Sequence, residues 1–397
     1  MKRYIALLMS VLMLLMLASC GEHQSNLPEN KDREEESVLT PEELDEQERL
    51  AQKAADEAAV SALVDRLTLE EKVGQLFFLR CPESDVVKAI SSYHLGGILL
   101  FGRDYKDANE NYLTRDAFTA KLESYQSAAE NNTGIPLFIG SDEEGGTVTR
   151  ASRNPNLFDG RFSSPQQLYK AGGMKGLLTD TLQYNDQLRA LGINVNFAPV
   201  CDVSVNPNDF IYERSFGQDA QTTADYISEV VGVMNTAGIG ATLKHFSGYG
   251  SNADTHTGIA MDDRPYEQFL SEDFLPFMAG IDAGAPFVLV SHNIVTCLDD
   301  TFPASLSPVW HDQLRTQLGF EGVILTDDLD MGAVKAYADG GNIAVLALQA
   351  GNDMIVCSDL TQIGAVITAV QNGILSEETV NNACRRVLAA KRSLLLI

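Results

Sequence analysis

The chain has 397 residues, 45% of them hydrophobic and 21% charged, which excludes a disordered or fibrous protein and leaves material for a substantial core. Aspartate and glutamate outnumber lysine and arginine by 55 to 29, a formal net charge of −26. A surface this acidic repels a phosphate backbone and no local basic patch offsets it, so nucleic acid is not an expected partner. Cys20, Cys81, Cys201, Cys297, Cys357 and Cys384 lie far apart with no interleaved histidines, and neither a metal site nor a disulfide framework is read from them.

At the N-terminus, Lys2 and Arg3 precede an apolar run from Tyr4 to Leu17 that ends in Leu17-Ala18-Ser19-Cys20-Gly21. A run this short, with positive charge before it, reads as a signal peptide (residues 1–19) rather than a membrane span. The small residues before Cys20 resemble a bacterial lipobox, which implies a lipidated Cys20 and a membrane anchor carrying the body outside the cytoplasmic membrane. Residues 20–55 are polar and acidic, with Glu34-Glu35-Glu36 and a cluster from Glu42 to Glu48, and read as a tether turning helical near Pro41.

From residue 56 to 397 short apolar runs alternate with amphipathic stretches, as parallel strands covered by helices do. Eight strands are expected: Leu76 to Leu79, Gly97 to Phe101, Leu137 to Ser141, Val195 to Val200, Ala241 to Phe246, Phe287 to Ser291, Val323 to Thr326 and Met354 to Cys357. Helices are expected between them, among others over Thr223 to Thr236 and Asn342 to Ala350, the latter stopped by Gly351. Eight such units suggest a single-domain α/β fold, a TIM-like (β/α)8 barrel. An open doubly wound sheet gives the same alternation, but the polar residues favour the barrel. Asp142, Asp202, Lys244 with His245, His292, and Asp327 with Asp328 stand at or just past the ends of strands three to seven. In a barrel they converge on one mouth; in an open sheet they spread along an edge. No phosphate-binding glycine loop follows any strand, so a nucleotide cofactor is not indicated.

Three stretches carry candidate chemistry. Lys244-His245-Phe246-Ser247-Gly248-Tyr249-Gly250 leads to Asp254-Thr255-His256, where an aspartate accepting from one ring nitrogen would fix the tautomer and leave the other nitrogen for proton transfer. By itself the pair is as readily an incidental polar contact. Thr326-Asp327-Asp328-Leu329-Asp330 ends an apolar strand in adjacent carboxylates, which alternation turns to opposite sides; the same letters also suit a helix N-terminus. In Asp142-Glu143-Glu144-Gly145-Gly146-Thr147-Val148-Thr149-Arg150, Asp142 and Arg150 suit a sugar subsite or a structural ion pair.

Together with Asn196-Phe197-Ala198-Pro199-Val200-Cys201-Asp202-Val203 and Glu213-Arg214-Ser215-Phe216-Gly217, these stretches resemble glycoside hydrolase family 3, in its single-domain bacterial β-N-acetylglucosaminidase branch, from about Val60 to Ile397. The resemblance implies a retaining two-step mechanism with Asp327 as nucleophile and His256 as acid and base assisted by Asp254. It further implies that Asp142, Arg150, Arg214, Lys244 and His245 hold an N-acetylglucosamine ring, and that neither metal nor cofactor is needed. Two departures stand out: Ser247 and Tyr249 replace a proline and a histidine common in the family, and Asp330 replaces a common serine beside the nucleophile.

The expected function is exo-hydrolysis of terminal β-linked N-acetylglucosamine from peptidoglycan fragments or chitin-type oligosaccharides. Competing readings are a β-N-acetylglucosaminide phosphorylase, a β-glucosidase of the same family, and a non-catalytic glycan-binding lipoprotein. Oligomeric state is not legible.

Overall fold

A computed structural model of the protein describes residues 40–252, 260–335, 337 and 342–397. Cys20, Asp254 and His256 lie outside the described residues. The chain divides into two units, residues 1–52 and 53–397. In the described part of the first, residues read as tether are helical from Pro41, within a helix that runs to Arg66 (α1). Two local features explain this. Residues 42–66 contain no glycine or proline and are rich in strong helix formers. Thr40 and Glu43 form a reciprocal cap, Thr40 N–H donating to Glu43 Oε2 at 2.8 Å and Glu43 N–H donating to Thr40 Oγ1 at 3.2 Å.

The second unit is a parallel barrel of eight strands: β1 (Phe77–Arg80), β2 (Gly97–Leu100), β3 (Phe138–Ser141), β4 (Val195–Asn196), β5 (Gly240–Phe246), β6 (Phe287–Val290), β7 (Val323–Thr326) and β8 (Ile355–Cys357). Each strand pairs in parallel with the next, and β8 returns to β1 with Phe77 opposite Ile355. Between β7 and β8 the ring is completed by a bridge from Leu325 to Met354, with Thr326 N–H donating to Met354 O at 3.1 Å. β4 is shorter than the apolar run from Val195 to Val200 suggests. Backbone bonding nevertheless continues past Asn196, with Phe197 N–H donating to Ser141 O at 2.9 Å and Thr242 N–H to Ala198 O at 2.8 Å; Pro199 has no N–H to give, and Val200 then bridges to Lys244.

Helices Ala220–Thr236 and Ile343–Ala350 lie where amphipathic periodicity puts them, capped by Asp219 and Asn342, and Gly351 ends the second with φ +115°. The barrel interior is aromatic and tightly filled: Phe78 meets Phe197 edge-on at 5.1 Å, and Phe138 meets Phe287 likewise at 5.1 Å. At the N-terminal end of the strands, Lys391 from helix Glu377–Ser393 (α2) closes the floor. Its Nζ donates to Gln75 Oε1 at 2.7 Å and stands 5.1 Å from the Phe138 ring centroid, and burial pulls the ammonium down to about 7.

The floor also depends on a close backbone approach. A Cβ on Gly96 would stand 2.1 Å from the carbonyl oxygen of Gln75, which is main chain and cannot swing aside. Gly96→Ala is expected to destabilise the barrel by about 1–3 kcal/mol, the usual cost of overpacking, read as a lower urea midpoint with an unchanged slope.

Candidate active site

At the opposite end of the barrel, loops after the strands enclose a cavity of about 430 Å3, within the size range of small-molecule sites. Asp142, Arg150, Arg214, Lys244, His245 and Asp327, six of the residues singled out from the sequence, all border it. Each reaches it by local design. β3 delivers Asp142, and the loop after it turns back through Gly145 and Gly146, whose φ values of +88° and +63° favour glycine. Asn196 fastens this loop by accepting from Glu143 N–H at 3.0 Å and donating to Glu143 O at 3.1 Å. Glu143 in turn accepts from the backbone N–H groups of Arg150 and Ala151 and from Ser152 Oγ, which fixes the chain where Arg150 leaves it.

The cationic half of the site is organised around Glu144, which is buried and was not singled out from the sequence. Arg214 grips it with two hydrogen bonds, Nε to Oε2 at 2.9 Å and Nη2 to Oε1 at 2.7 Å. Lys244 Nζ, 3% exposed, reaches Glu144 Oε1 at 2.6 Å and Asp142 Oδ1 at 2.9 Å. Burial pushes the Glu144 carboxyl up, but Arg214 and Lys244 outweigh it and hold the group well below the usual carboxylate range. For Lys244 burial favours loss of the proton, and Asp142 and Glu144 reverse that, raising it above its ordinary value. Arg150 is looser, with Nη2 3.7 Å from Asp142 Oδ2.

His245 is fully engaged. Its Nε2 lies 3.0 Å from Arg214 Nη2 and its Nδ1 2.8 Å from Asp202 Oδ2. A guanidinium only donates, so Nε2 accepts and the ring proton sits on Nδ1, directed at Asp202. Asp202, which ends the run after β4, also accepts from the backbone N–H of His245 at 3.1 Å and from that of Tyr249 at 2.7 Å. Tyr249 is buried and packs edge-on against His245 at 5.1 Å, serving as the wall behind the histidine. A lone aspartate after an apolar run was the sequence signal for Asp202. Nothing in the letters distinguishes Glu144 from Glu143.

The acidic half comes from β7. Asp327 N–H donates to Val290 O at 2.9 Å, and Asp327 Oδ1 accepts from Asp328 N–H at 2.8 Å. Asp327, Asp328 and Asp330 all border the cavity, so the two adjacent aspartates are not sorted to opposite sides. The reason is that β7 ends at Thr326 and the carboxylates stand on a turn, beyond the reach of strand alternation. Arg80 at the end of β1, also not foreseen, lies 3.3 Å from Asp328 Oδ2 and 3.5 Å from Asp330 Oδ2. His292, after β6, brings Nε2 to 3.0 Å from the carbonyl oxygen of Asp328 and Nδ1 to 2.7 Å from Ser305 Oγ.

A buried carboxylate shared by two buried cations gives a direct test. Glu144→Gln removes the charge while keeping the shape, leaving Arg214 and Lys244 without their common counter-ion. The variant is expected to lose about 3–5 kcal/mol of stability at pH 7, measured by urea unfolding. The difference from wild type should shrink as acid protonates Glu144 in the parent.

Comparison with known proteins agrees with this architecture. Residues 68–390 match the model of the glycosyl hydrolase family 3 N-terminal domain. A β-hexosaminidase of Nitrosomonas eutropha is 31% identical over 309 residues, 73% of this chain and 81% of the relative. A solved family 3 β-N-acetylglucosaminidase from a Paenibacillus species superposes with a TM-score of 0.76 at 31% identity over 83% of this chain, which spans 63% of that longer enzyme. The β-N-acetylhexosaminidase of Beutenbergia cavernae gives 0.72 at 31% identity, covering 82% of this chain and 99% of the other. With a sequence match over most of the barrel and a mouth lined by carboxylates and cations, this chain belongs to glycoside hydrolase family 3 and is a glycoside hydrolase.

Proposed function

We propose that the enzyme is a retaining exo-β-N-acetylglucosaminidase that removes terminal β-linked N-acetylglucosamine from peptidoglycan fragments or chitin-type oligosaccharides. The observation that carries the reading is the convergence of Asp327 with Asp142, Arg150, Arg214, Lys244 and His245 on one cavity. Three cations, Arg150, Arg214 and Lys244, with two carboxylates make a site for a polyhydroxylated ring, because guanidinium and ammonium donate to hydroxyl oxygens and carboxylates accept from hydroxyl hydrogens. With both ring nitrogens taken, His245 acts by aiming Arg214.

In the proposed first step an Asp327 carboxylate oxygen attacks the anomeric carbon as the bond to the leaving oxygen breaks, and that oxygen takes its proton from His256. Asp254 orients the imidazole. In the second step His256 takes a proton from water, whose oxygen displaces Asp327 and releases the sugar with its original anomeric configuration. An imidazole suits both steps near neutral pH, without the burial a carboxylic acid needs to hold its proton. A Cys20 lipid anchor would place this chemistry outside the cytoplasmic membrane, in wall turnover or sugar salvage.

The wild type should release phenolate from 4-nitrophenyl N-acetyl-β-glucosaminide at a rate independent of inorganic phosphate. Formation of sugar 1-phosphate would instead establish a phosphorylase, and no turnover a binding protein. Asp327→Asn is expected to lower kcat by about 10^4-fold or more, and a slow fluorosugar to add one sugar mass to the peptide containing Asp327. His256→Ala should harm substrates with poor leaving groups far more than activated aryl glycosides, seen in their relative kcat/KM.

A further inference from the structure

We propose that Arg80 is a positioning residue for the nucleophile, tying down the two carboxylates beside Asp327 so that the nucleophile stays ionised at working pH. The inference rests on the reading of Asp327 as the nucleophile. Three aspartates within four positions border one cavity, and like charges at such spacing disfavour each other's ionised form. A carboxylate nucleophile must be ionised to attack. Asp330 puts a third negative charge on that turn, which needs a cation to offset it.

Arg80 is placed to do so. One nitrogen, Nη1, spans Asp328 Oδ2 at 3.3 Å and Asp330 Oδ2 at 3.5 Å. The guanidinium carbon lies 4.4 Å from the centroid of the Phe101 ring, which shelves it, and the side chain is only 28% exposed, so solvent screening is reduced. Its effect reaches Asp327 through the turn. Asp330 Oδ2 accepts from Ser358 N–H at 2.9 Å, Asp328 Oδ1 from Asp330 N–H at 3.0 Å, and Asp327 Oδ1 from Asp328 N–H at 2.8 Å. Burial lifts the Asp328 carboxyl to about 6, with Arg80 opposing the rise and Asp330 adding to it. Among the described residues, the other charged or titratable groups around the cavity are Asp142, Glu144, Arg150, Arg214, Lys244 and His245, with His292 against the Asp328 carbonyl and the Cys357 thiol on β8 facing Asp328 and Asp330. Of these, Arg214 and Lys244 are held by Glu144 and Asp142 at 2.6–2.9 Å. Among the described residues, Arg80 is the cation ion-paired to Asp328 and Asp330 of the β7 turn.

The test is the acid limb of kcat/KM against pH, which reports the essential base of the free enzyme, in wild type, Arg80→Gln, Arg80→Lys, Asp330→Ser and the Arg80→Gln/Asp330→Ser double variant. Arg80→Gln is expected to move the limb up by about one pH unit, Arg80→Lys to leave it near wild type, and Asp330→Ser to move it down by about half a unit. Removing the extra acid should rescue the loss of the cation, returning the double variant to near the wild-type limb. A uniform loss at all pH in Arg80→Gln with the limb unmoved would overturn the proposal, as would a double variant that keeps the raised limb. Should Arg80→Gln fail to fold, an unmoved limb in Asp330→Ser alone overturns it. Fluorosugar labelling separates the two levels: a label on Asp327 with unmoved limbs defeats only the role of Arg80, whereas a label on Asp328 defeats the nucleophile assignment and this proposal with it.

Discussion

The barrel mouth depends on one carboxylate, Glu144, shared between two buried cations. Neither Arg214 nor Lys244 could be held away from water without a counter-ion, since the desolvation of an unpaired ion exceeds anything packing returns at that point. By bridging them Glu144 fixes the spacing of two donors contributed by different elements, the loop after β4 and strand β5. Lys244 is then held in place to meet Asp142 just past β3, and Arg214 to meet His245. The site is a chain of charges in which each member is placed by the next, and it ends at Asp202, whose second oxygen holds the backbone of Tyr249.

This arrangement separates the site into two electrostatic halves. On one side Lys244, Arg214 and Arg150 face Asp142 and Glu144; on the other Arg80 meets Asp328 and Asp330 of the β7 turn. Phe101 lies between them, with Arg80 4.4 Å and Arg150 5.7 Å from its ring centroid. The aromatic ring gives both guanidinium groups a common support, so the wall around Asp142 and the wall around the β7 turn share a part. Enzymes of this kind work by preorganised charge, and shared supports preserve such geometry without solvent rearrangement.

Much of the fold was legible because its signals are local. β7 is bounded as the sequence implies, Val323 to Thr326, since a short apolar run between Gly322 and a pair of aspartates admits little else. The cap at Asn342 and stop at Gly351 were likewise readable as letters. What escaped is set by partners far along the chain. Glu144 and Glu143 are neighbours with opposite fates: the pairing of Glu144 with Lys244 and Arg214 holds its proton affinity down, whereas burial lifts Glu143 to about 7. Arg80 looked like an ordinary strand end until β1 and β7 were brought to the same rim.

The ring of strands also has a consequence for biosynthesis. Because β8 must zip onto β1 before the ring is complete, and Lys391 from α2 must reach Gln75 to seal the floor, the earliest and latest parts of the barrel are mutually dependent. A nascent chain that has not yet delivered residues 355–391 has only β2 to pair with β1, and the rim that sets Arg80 against the turn after β7 is still open. Assembly of the catalytic mouth is therefore a late event in the life of the polypeptide, and contacts so distant in sequence make it a slow one.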